Sequence, residues 1–237
     1  MNSNQVALVT GANKGIGLEI ARQLGKQGIT VVLGSRDAAK GQAAADILKN
    51  EGIDAHTVKL EVTNADDVAA LPAFFTDTFG RLDILVNNAG VLPEAHGPVT
   101  LETFREGLEA NVVAPYFLTE SLLPLLLAAP AGRIVNQSSI LGSLATVTSG
   151  QFSPGYLLPI YSSSKAALNM VTVVHAENHK DTALKINAAH PGSVKTDMNP
   201  SGDLTVEQGA LTAVRLATLP PDGPTGSFFH MDDTLPW

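Results

Sequence analysis

Tyr161 and Lys165, four positions apart, form the pair in this chain best suited to moving a proton. Residues at that spacing share one face of a helix, so the ammonium can lie beneath the phenol. A free tyrosine titrates at about 10, too high for an effective acid or base at neutral pH, and a nearby cation lowers that value by favouring the phenolate. Such a phenol donates a proton to a carbonyl oxygen in a reduction and takes one from an alcohol in the reverse direction. A second constellation is Thr10-Gly11-Ala12-Asn13-Lys14-Gly15-Ile16-Gly17, which follows a short apolar run and leads into a helical pattern. Glycines permit positive φ and let the backbone approach a pyrophosphate, while a helix N-terminus offers unpaired N–H groups and partial positive charge. Strand, glycine turn and helix in that order read as a dinucleotide site, against the blander alternative of an ordinary tight turn.

The elements that hold these groups alternate as βαβ units. Runs rich in Val, Ile and Leu at residues 6–9, 30–34, 56–62, 82–87, 133–137, 185–189 and 226–230 read as about seven strands. Most are apolar on both faces, which suits parallel strands covered by helices on both sides of an α/β doubly wound sheet. Helical spacing marks residues 17–24, 66–79, 101–127 with kinks expected at Pro115 and Pro124, 162–180 and 206–216. The Gly/Ser/Pro-rich stretch 142–159 is expected to leave the core. The 237 residues carry 15 Lys+Arg against 23 Asp+Glu, a net charge of −8, and no cysteine. That excludes a disulfide framework, a thiolate metal cage and a cysteine nucleophile. It also argues against nucleic acid as a partner. The N-terminus lacks the charged and apolar regions of a signal peptide, and the apolar stretch 122–131, broken by Pro124 and Pro130, falls short of a membrane span. The expectation is one soluble, cytoplasmic domain over residues 1–237, with a cofactor half of about 1–135 and a catalytic and substrate half of about 136–237.

Four motifs in fixed order give the chain a wider likeness. Thr-Gly-x-x-x-Gly-x-Gly at 10–17, Asn87-Asn88-Ala89-Gly90, Ser138-Ser139 and Tyr161-Ser162-Ser163-Ser164-Lys165 together resemble the short-chain dehydrogenase/reductase family. The resemblance spans nearly the whole chain and implies a Rossmann-type fold and hydride transfer between a nicotinamide and a carbonyl or alcohol. It implies Tyr161 as general acid/base, and Ser139 as the hydroxyl that orients the reacting oxygen, with Ser138 as the fallback. It further implies Lys165 on the nicotinamide ribose and Asn111 anchoring a relay water. Gly11, Asn13, Lys14, Gly15, Ile16, Gly17, Asn88, Ala89 and Gly90 would line the cofactor. Glu61, with Val62, stands where the resemblance implies a residue beside the adenine, usually aspartate in the family. Pro191-Gly192-Ser193-Val194-Lys195-Thr196 resembles the segment that meets the carboxamide and phosphates, through Pro191, Gly192, Val194 and Thr196, and residues 197–205 suit a lid.

After the second apolar run, Ser35 stands where the family's NAD-dependent members carry an acid, and Arg36 follows, offering a guanidinium to a 2′-phosphate. With Lys14 as a second cation, NADP(H) is expected over NAD(H), Asp37 being the discordant residue. Ser139 and Tyr161 are 22 positions apart, longer than in most family members. Together with Asn13-Lys14 and the ending Leu235-Pro236-Trp237, that spacing resembles the carbonyl-reductase branch. Leu141, Phe152, Tyr156 and Leu157 are the expected walls of an apolar substrate pocket. The insertion leaves monomer, dimer or tetramer open. Asn136-Gln137-Ser138 is a formal glycosylation sequon on an expected buried strand and is discounted. His175 and His179 are read as a solvated helix face, no metal site is expected, and Trp237 is read as a packing anchor. The rival readings are an NAD-linked alcohol dehydrogenase, an acyl-carrier ketoreductase, a catalytically silent NADP-binding sensor and a methyltransferase-type nucleotide fold. The last has neither the Tyr-x-x-x-Lys helix nor the Asn-Asn-Ala-Gly strand end.

Overall fold

The computed structural model describes residues 5–153 and 155–237. The absent signal-peptide pattern at residues 1–4 and Pro154 of the stretch 142–159 lie outside the described residues. One sheet runs through the fold in the order β3-β2-β1-β4-β5-β6-β7-β8. Its strands are β1 Val6–Thr10, β2 Thr30–Ser35, β3 Ala55–Lys59, β4 Ile84–Asn87, β5 Arg133–Gln137, β6 Lys185–Ala189, β7 Phe228–His230 and β8 Asp233–Leu235. All neighbours are parallel except β7 and β8.

Alternation along each strand divides the core into two layers. Ala7 and Val9 of β1 join Ile84 and Val86 of β4 on one face, while Val6, Leu8 and Leu85 point to the other. The first face is covered by α1 (Gly15–Lys26), α2 (Ala38–Asn50) and α8 (Val206–Ala217). The second is covered by α3 (Ala65–Phe79), α5 (Ala114–Ala128) and α7 (Pro159–Asn178). α4 (Leu101–Leu108) leads into α5 through a π turn at Glu109–Val113, and α6 (Leu144–Thr148) lies within the stretch after β5. The doubly wound α/β fold is as expected from the apolar runs.

Several sequence expectations change. The strand expected at 56–62 ends at Lys59, because Glu61 accepts from Asn64 N–H in the turn that starts α3. An eighth strand, β8, folds back antiparallel on β7 through Met231 at φ 50°. Helix α2 has no counterpart in the expected pattern. Pro115 and Pro124 lie within α5, and the interruption comes before them, at the π turn. The helical stretch Leu101–Ala128 is, by length and composition, long and apolar enough to cross a membrane, contrary to the count made on residues 122–131 alone. Its Leu118, Leu122 and Leu126 are fully buried in the second core layer. His175 is also not solvated. It is buried where α5 crosses α7, with Nε2 3.0 Å from Glu120 Oε1 and its ring stacked on Tyr116 at 5.1 Å. Trp237 stacks on Phe228 with centroids 5.6 Å apart, and its carbonyl accepts from Ala145 N–H at 2.9 Å.

Candidate active site

The chain winds outward from β1 to β3, then crosses back to β4, so a crevice opens between the carboxyl ends of β1 and β4. Thr10 builds that junction. Its Oγ1 accepts from the N–H groups of Asn88 at 3.0 Å and Ala89 at 2.9 Å, and Asn88 Nδ2 donates to the Thr10 carbonyl at 2.8 Å. Gly11 and Gly15 have φ of 63° and 59°, a region open to glycine at no steric cost. A Cβ at Gly17 would lie 2.4 Å from Asn88 Nδ2 and 2.7 Å from the Gly11 carbonyl oxygen, so this glycine lets α1 meet the turn. α1 begins after Lys14 with no side-chain cap, whereas Asp37, Asn64, Thr100 and Thr205 cap α2, α3, α4 and α8. Its leading N–H groups are free of side-chain partners, and the space off Gly15 is open, Thr196 Cγ2 standing 4.0 Å from the position of a Cβ. An uncapped helix start beside an open glycine fits a pyrophosphate. Asn13 and Ile16 are half-buried in the same turn.

Across the crevice, α7 carries Tyr161 and Lys165 on one face, with the Lys165 ammonium 5.5 Å from the centre of the phenol ring. Lys165 Nζ donates to the Gln137 carbonyl at 2.8 Å, fixing the lysine to the end of β5. Ser139 follows on the same strand end, and its side chain interacts with the Tyr161 phenol. Ser138 points elsewhere: its hydroxyl donates to buried Asn169 Oδ1 at 2.5 Å. Asn111 is buried in the π turn, where Oδ1 accepts from Val91 N–H at 2.8 Å and Nδ2 donates to Val91 O and Ser164 Oγ. A Cβ on Gly90 would stand 3.0 Å from Asn111 Oδ1 and 3.6 Å from Lys165 Nζ, so Gly90, Asn111 and Lys165 meet at one point. A π turn shifts backbone carbonyls out of the regular ladder, which is why it recurs at functional sites.

Burial governs the electrostatics and reverses one expectation. The Tyr161 phenol is pushed up to about 12 by desolvation, with only the Ser139 side chain pulling it down. The lowering expected from Lys165 does not prevail, because burial disfavours charge on both partners. Lys165 itself is pushed down to about 8 by the same desolvation. The site therefore holds a protonated phenol at neutral pH.

Other expected residues fall into two groups. Arg36 is exposed at the end of β2, and Asp37 is engaged as the cap of α2, Oδ1 accepting from Lys40 N–H at 3.0 Å. Glu61 and Val62 are half-buried beyond β3, with Thr63 Oγ1 donating to Glu61 at 3.2 Å. Pro191 and Gly192 are half-buried after β6, Gly192 at φ 87°, and Val194 is buried. Residues 197–205 are pinned to this turn by Lys195 N–H on Leu204 O and Leu204 N–H on Ser193 O. Lys14 reaches over from the glycine turn to pair with Asp197 at 2.5 Å, both side chains being exposed. The four expected pocket walls are not brought together. Leu141 lies in the turn after Ser139, while Phe152 and Tyr156 stack on each other at 6.2 Å and Tyr156 and Leu157 face outward. A cavity of 540 Å³ beside the Ser139 turn is lined instead by Ile140, Ala145, Thr146, His190, His230 and Pro236, among others. The segment after Ser139 folds as α6 against the chain's last residues, and its aromatic pair is not part of the cavity lining.

Sequence reasoning missed Glu94. Its Oε1 accepts from the N–H groups of Ile160 at 2.6 Å and Tyr161 at 3.0 Å, capping α7 from 66 residues away. A long-range cap leaves no local signature, since α7 has no side-chain cap of its own.

The family model described as short chain dehydrogenase matches residues 5–205. Carbonyl reductase [NADPH] 3 of Homo sapiens is 35% identical, covering 96% of this chain and 96% of the human protein. That alignment runs over 268 positions, so the human protein holds stretches with no counterpart here. Among solved structures, salutaridine reductase from Papaver somniferum superimposes with a TM-score of 0.84 at 32% identity, covering 97% of this chain and 100% of the other. The NADPH-bound carbonyl reductase from chicken fatty liver gives 0.85 at 28% identity with full coverage of both chains. With the Tyr161–Lys165 pair, the glycine turn and the sheet order agreeing with the family match over residues 5–205, the chain belongs to the short-chain dehydrogenase family.

Proposed function

We propose that this protein is an NADPH-dependent carbonyl reductase that converts ketones or aldehydes to alcohols, reversibly. The observation that carries the reading is the Tyr161 phenol held protonated, over Lys165 and beside Ser139, at the mouth of an uncapped glycine turn. The names of the human and chicken relatives, both carbonyl reductases linked to NADPH, support the same chemistry and cofactor. When bound, the nicotinamide supplies or accepts the hydride. Ser139 hydrogen-bonds the substrate oxygen, and Tyr161 donates its proton to that oxygen as negative charge develops there. Lys165 holds the ribose hydroxyls and compensates the phenolate left behind. Asn111 holds Val91 and Ser164, and it would anchor the water that joins Lys165 to solvent as a proton relay for Tyr161. Gly11, Gly15, Ile16 and the start of α1 cradle the pyrophosphate. Glu61 and Val62 flank the adenine, and Asn88 to Gly90 line the nicotinamide side.

Arg36 selects the phosphorylated cofactor. Its guanidinium is exposed, no ion pair holds it among the described residues, and Asp37 is committed to capping α2. The test is oxidation of NADPH followed by its absorbance with a panel of ketones and aldehydes, for the native protein and Tyr161→Phe. The native protein consumes NADPH faster than NADH only when a carbonyl is present. The Phe variant binds NADPH and loses turnover by about 10²-fold or more, the usual worth of a positioned acid. A Phe variant with native turnover removes Tyr161 from the role of acid.

A further inference from the structure

The cavity beside Ser139 contains two histidines whose protons the backbone assigns. His190 Nδ1 accepts from the N–H groups of Ile140 and Gly192, each at 3.4 Å. A backbone N–H can only donate, so Nδ1 is unprotonated and the ring proton sits on Nε2. His230 Nδ1 lies 3.0 Å from the His190 carbonyl oxygen. A carbonyl can only accept, so His230 carries a proton on Nδ1, and in its neutral form the lone pair is at Nε2. The two rings stand 5.0 Å apart at 43° and both line the 540 Å³ cavity. One therefore presents a donor and the other an acceptor, side by side.

The remaining polar side chains of the lining are spent or peripheral. Thr146 Oγ1 accepts from Ser143 Oγ at 2.7 Å, Ser149 Oγ donates to Thr146 O at 2.7 Å, and Gln151 is exposed at the rim. The other walls are Ile140, Ala145, Leu235 and Pro236. The volume falls within the range of small-molecule sites. Ile140, in the cavity wall, directly follows Ser139, and His190 ties the turn after Ser139 to Gly192, so the cavity begins one residue along the chain from Ser139.

Resting on the reductase reading above, we propose that His190 and His230 are specificity-determining residues for a ketone that carries a neutral hydroxyl on the part entering this cavity. A hydroxyl donates to His230 Nε2 and accepts from His190 Nε2–H at once. A hydrocarbon group leaves both nitrogens desolvated and unpaired, and a carboxylate meets one donor and one lone pair. His190 is pushed down to about 3 by burial, with the neighbouring His230 adding to it, so it stays neutral and keeps this tautomer through the working range.

Two measurements on the native protein and one on a variant test this. The first is a long-range nitrogen–proton spectrum of the histidine rings, expected to show protonated Nε2 at His190 and protonated Nδ1 at His230. The second compares kcat/KM for phenylbutanone with its hydroxyphenyl and carboxyphenyl analogues. The hydroxyl compound is expected to lead by about tenfold or more over both. In His230→Phe, which keeps a ring but loses the acceptor, that ratio is expected to fall to near one. The opposite tautomers overturn the proposal, as does equal kcat/KM for the three ketones or an unchanged ratio in the variant. Absence of turnover with every carbonyl and NADPH instead overturns the reductase reading, and this proposal with it, whatever the ring spectrum shows.

Discussion

Replacing Glu94 by alanine tests whether Tyr161, the proposed proton donor, is positioned from outside its own helix. One carboxylate oxygen holds the N–H groups of Ile160 and Tyr161, and α7 supplies no cap itself. Loss of an N-cap costs about 1 kcal/mol, and a buried donor left unpaired costs about 1–3 kcal/mol. In the other direction, Glu94 Oε2 is buried without a hydrogen-bond partner, so deleting the side chain recovers about 1 kcal/mol. The balance is about 2 kcal/mol of lost stability, which lowers the melting temperature by about 4–8 °C in a domain of this size. Tyr161 lies in the turn that frays, so its phenol is held less firmly against Ser139. kcat for ketone reduction is expected to fall by about tenfold, equivalent to about 1.4 kcal/mol of barrier. Glu94→Gln keeps an acceptor without the charge and is expected to fall between native and alanine. Thermal denaturation by circular dichroism and steady-state kinetics read both effects. An alanine variant that melts with the native protein and keeps native kcat would refute the positioning argument.

Arg36→Ala is expected to cut the preference for NADPH over NADH by about tenfold or more, the worth of a lost charge-assisted hydrogen-bond set, read as the ratio of kcat/KM values. An unchanged ratio assigns the phosphate to another residue. Lys165 has a folded value of about 8, below its usual 10.5. Its cationic form therefore opposes folding fully below about pH 8, and that opposition is relieved as pH rises from about 8 to 10.5. Urea denaturation of cofactor-free Lys165→Met and native protein should show the variant's relative stability greatest at pH 7 and shrinking toward pH 10. A stability difference that does not vary with pH contradicts the depressed value.

The glycine turn, the Tyr-x-x-x-Lys helix and seven of the eight strands were legible because each is local: a turn needs its glycines and a buried parallel strand needs a continuous apolar run. Helix α2 escaped for a physical reason. Its buried stripe is Gly41, Ala44, Ala45 and Leu48, so the contrast between its faces is small. β8 escaped because three residues, Asp233, Thr234 and Leu235, carry no strand pattern and are held by pairing with β7. Leu141, Phe152, Tyr156 and Leu157 do not line the cavity beside the Ser139 turn, and a flexible-looking stretch gives no indication of which side chains turn inward. α6 packing on the chain's last residues settled that.

Sequence by itself determined the chemistry available here: which phenol, which ammonium, which glycines, and the order in which strands deliver them to one sheet edge. Tertiary structure decided the states of those groups. Burial, a property of packing from distant segments, holds Tyr161 neutral where spacing alone suggested a phenolate. Glu94, Gln137 and Val91 come from other elements to hold Tyr161, Lys165 and Asn111. The orientation of the His190 and His230 protons likewise rests on backbone groups brought together only by folding. Spacing along a chain fixes which groups share a face, but solvation and long-range hydrogen bonds exist only once the chain has closed around them.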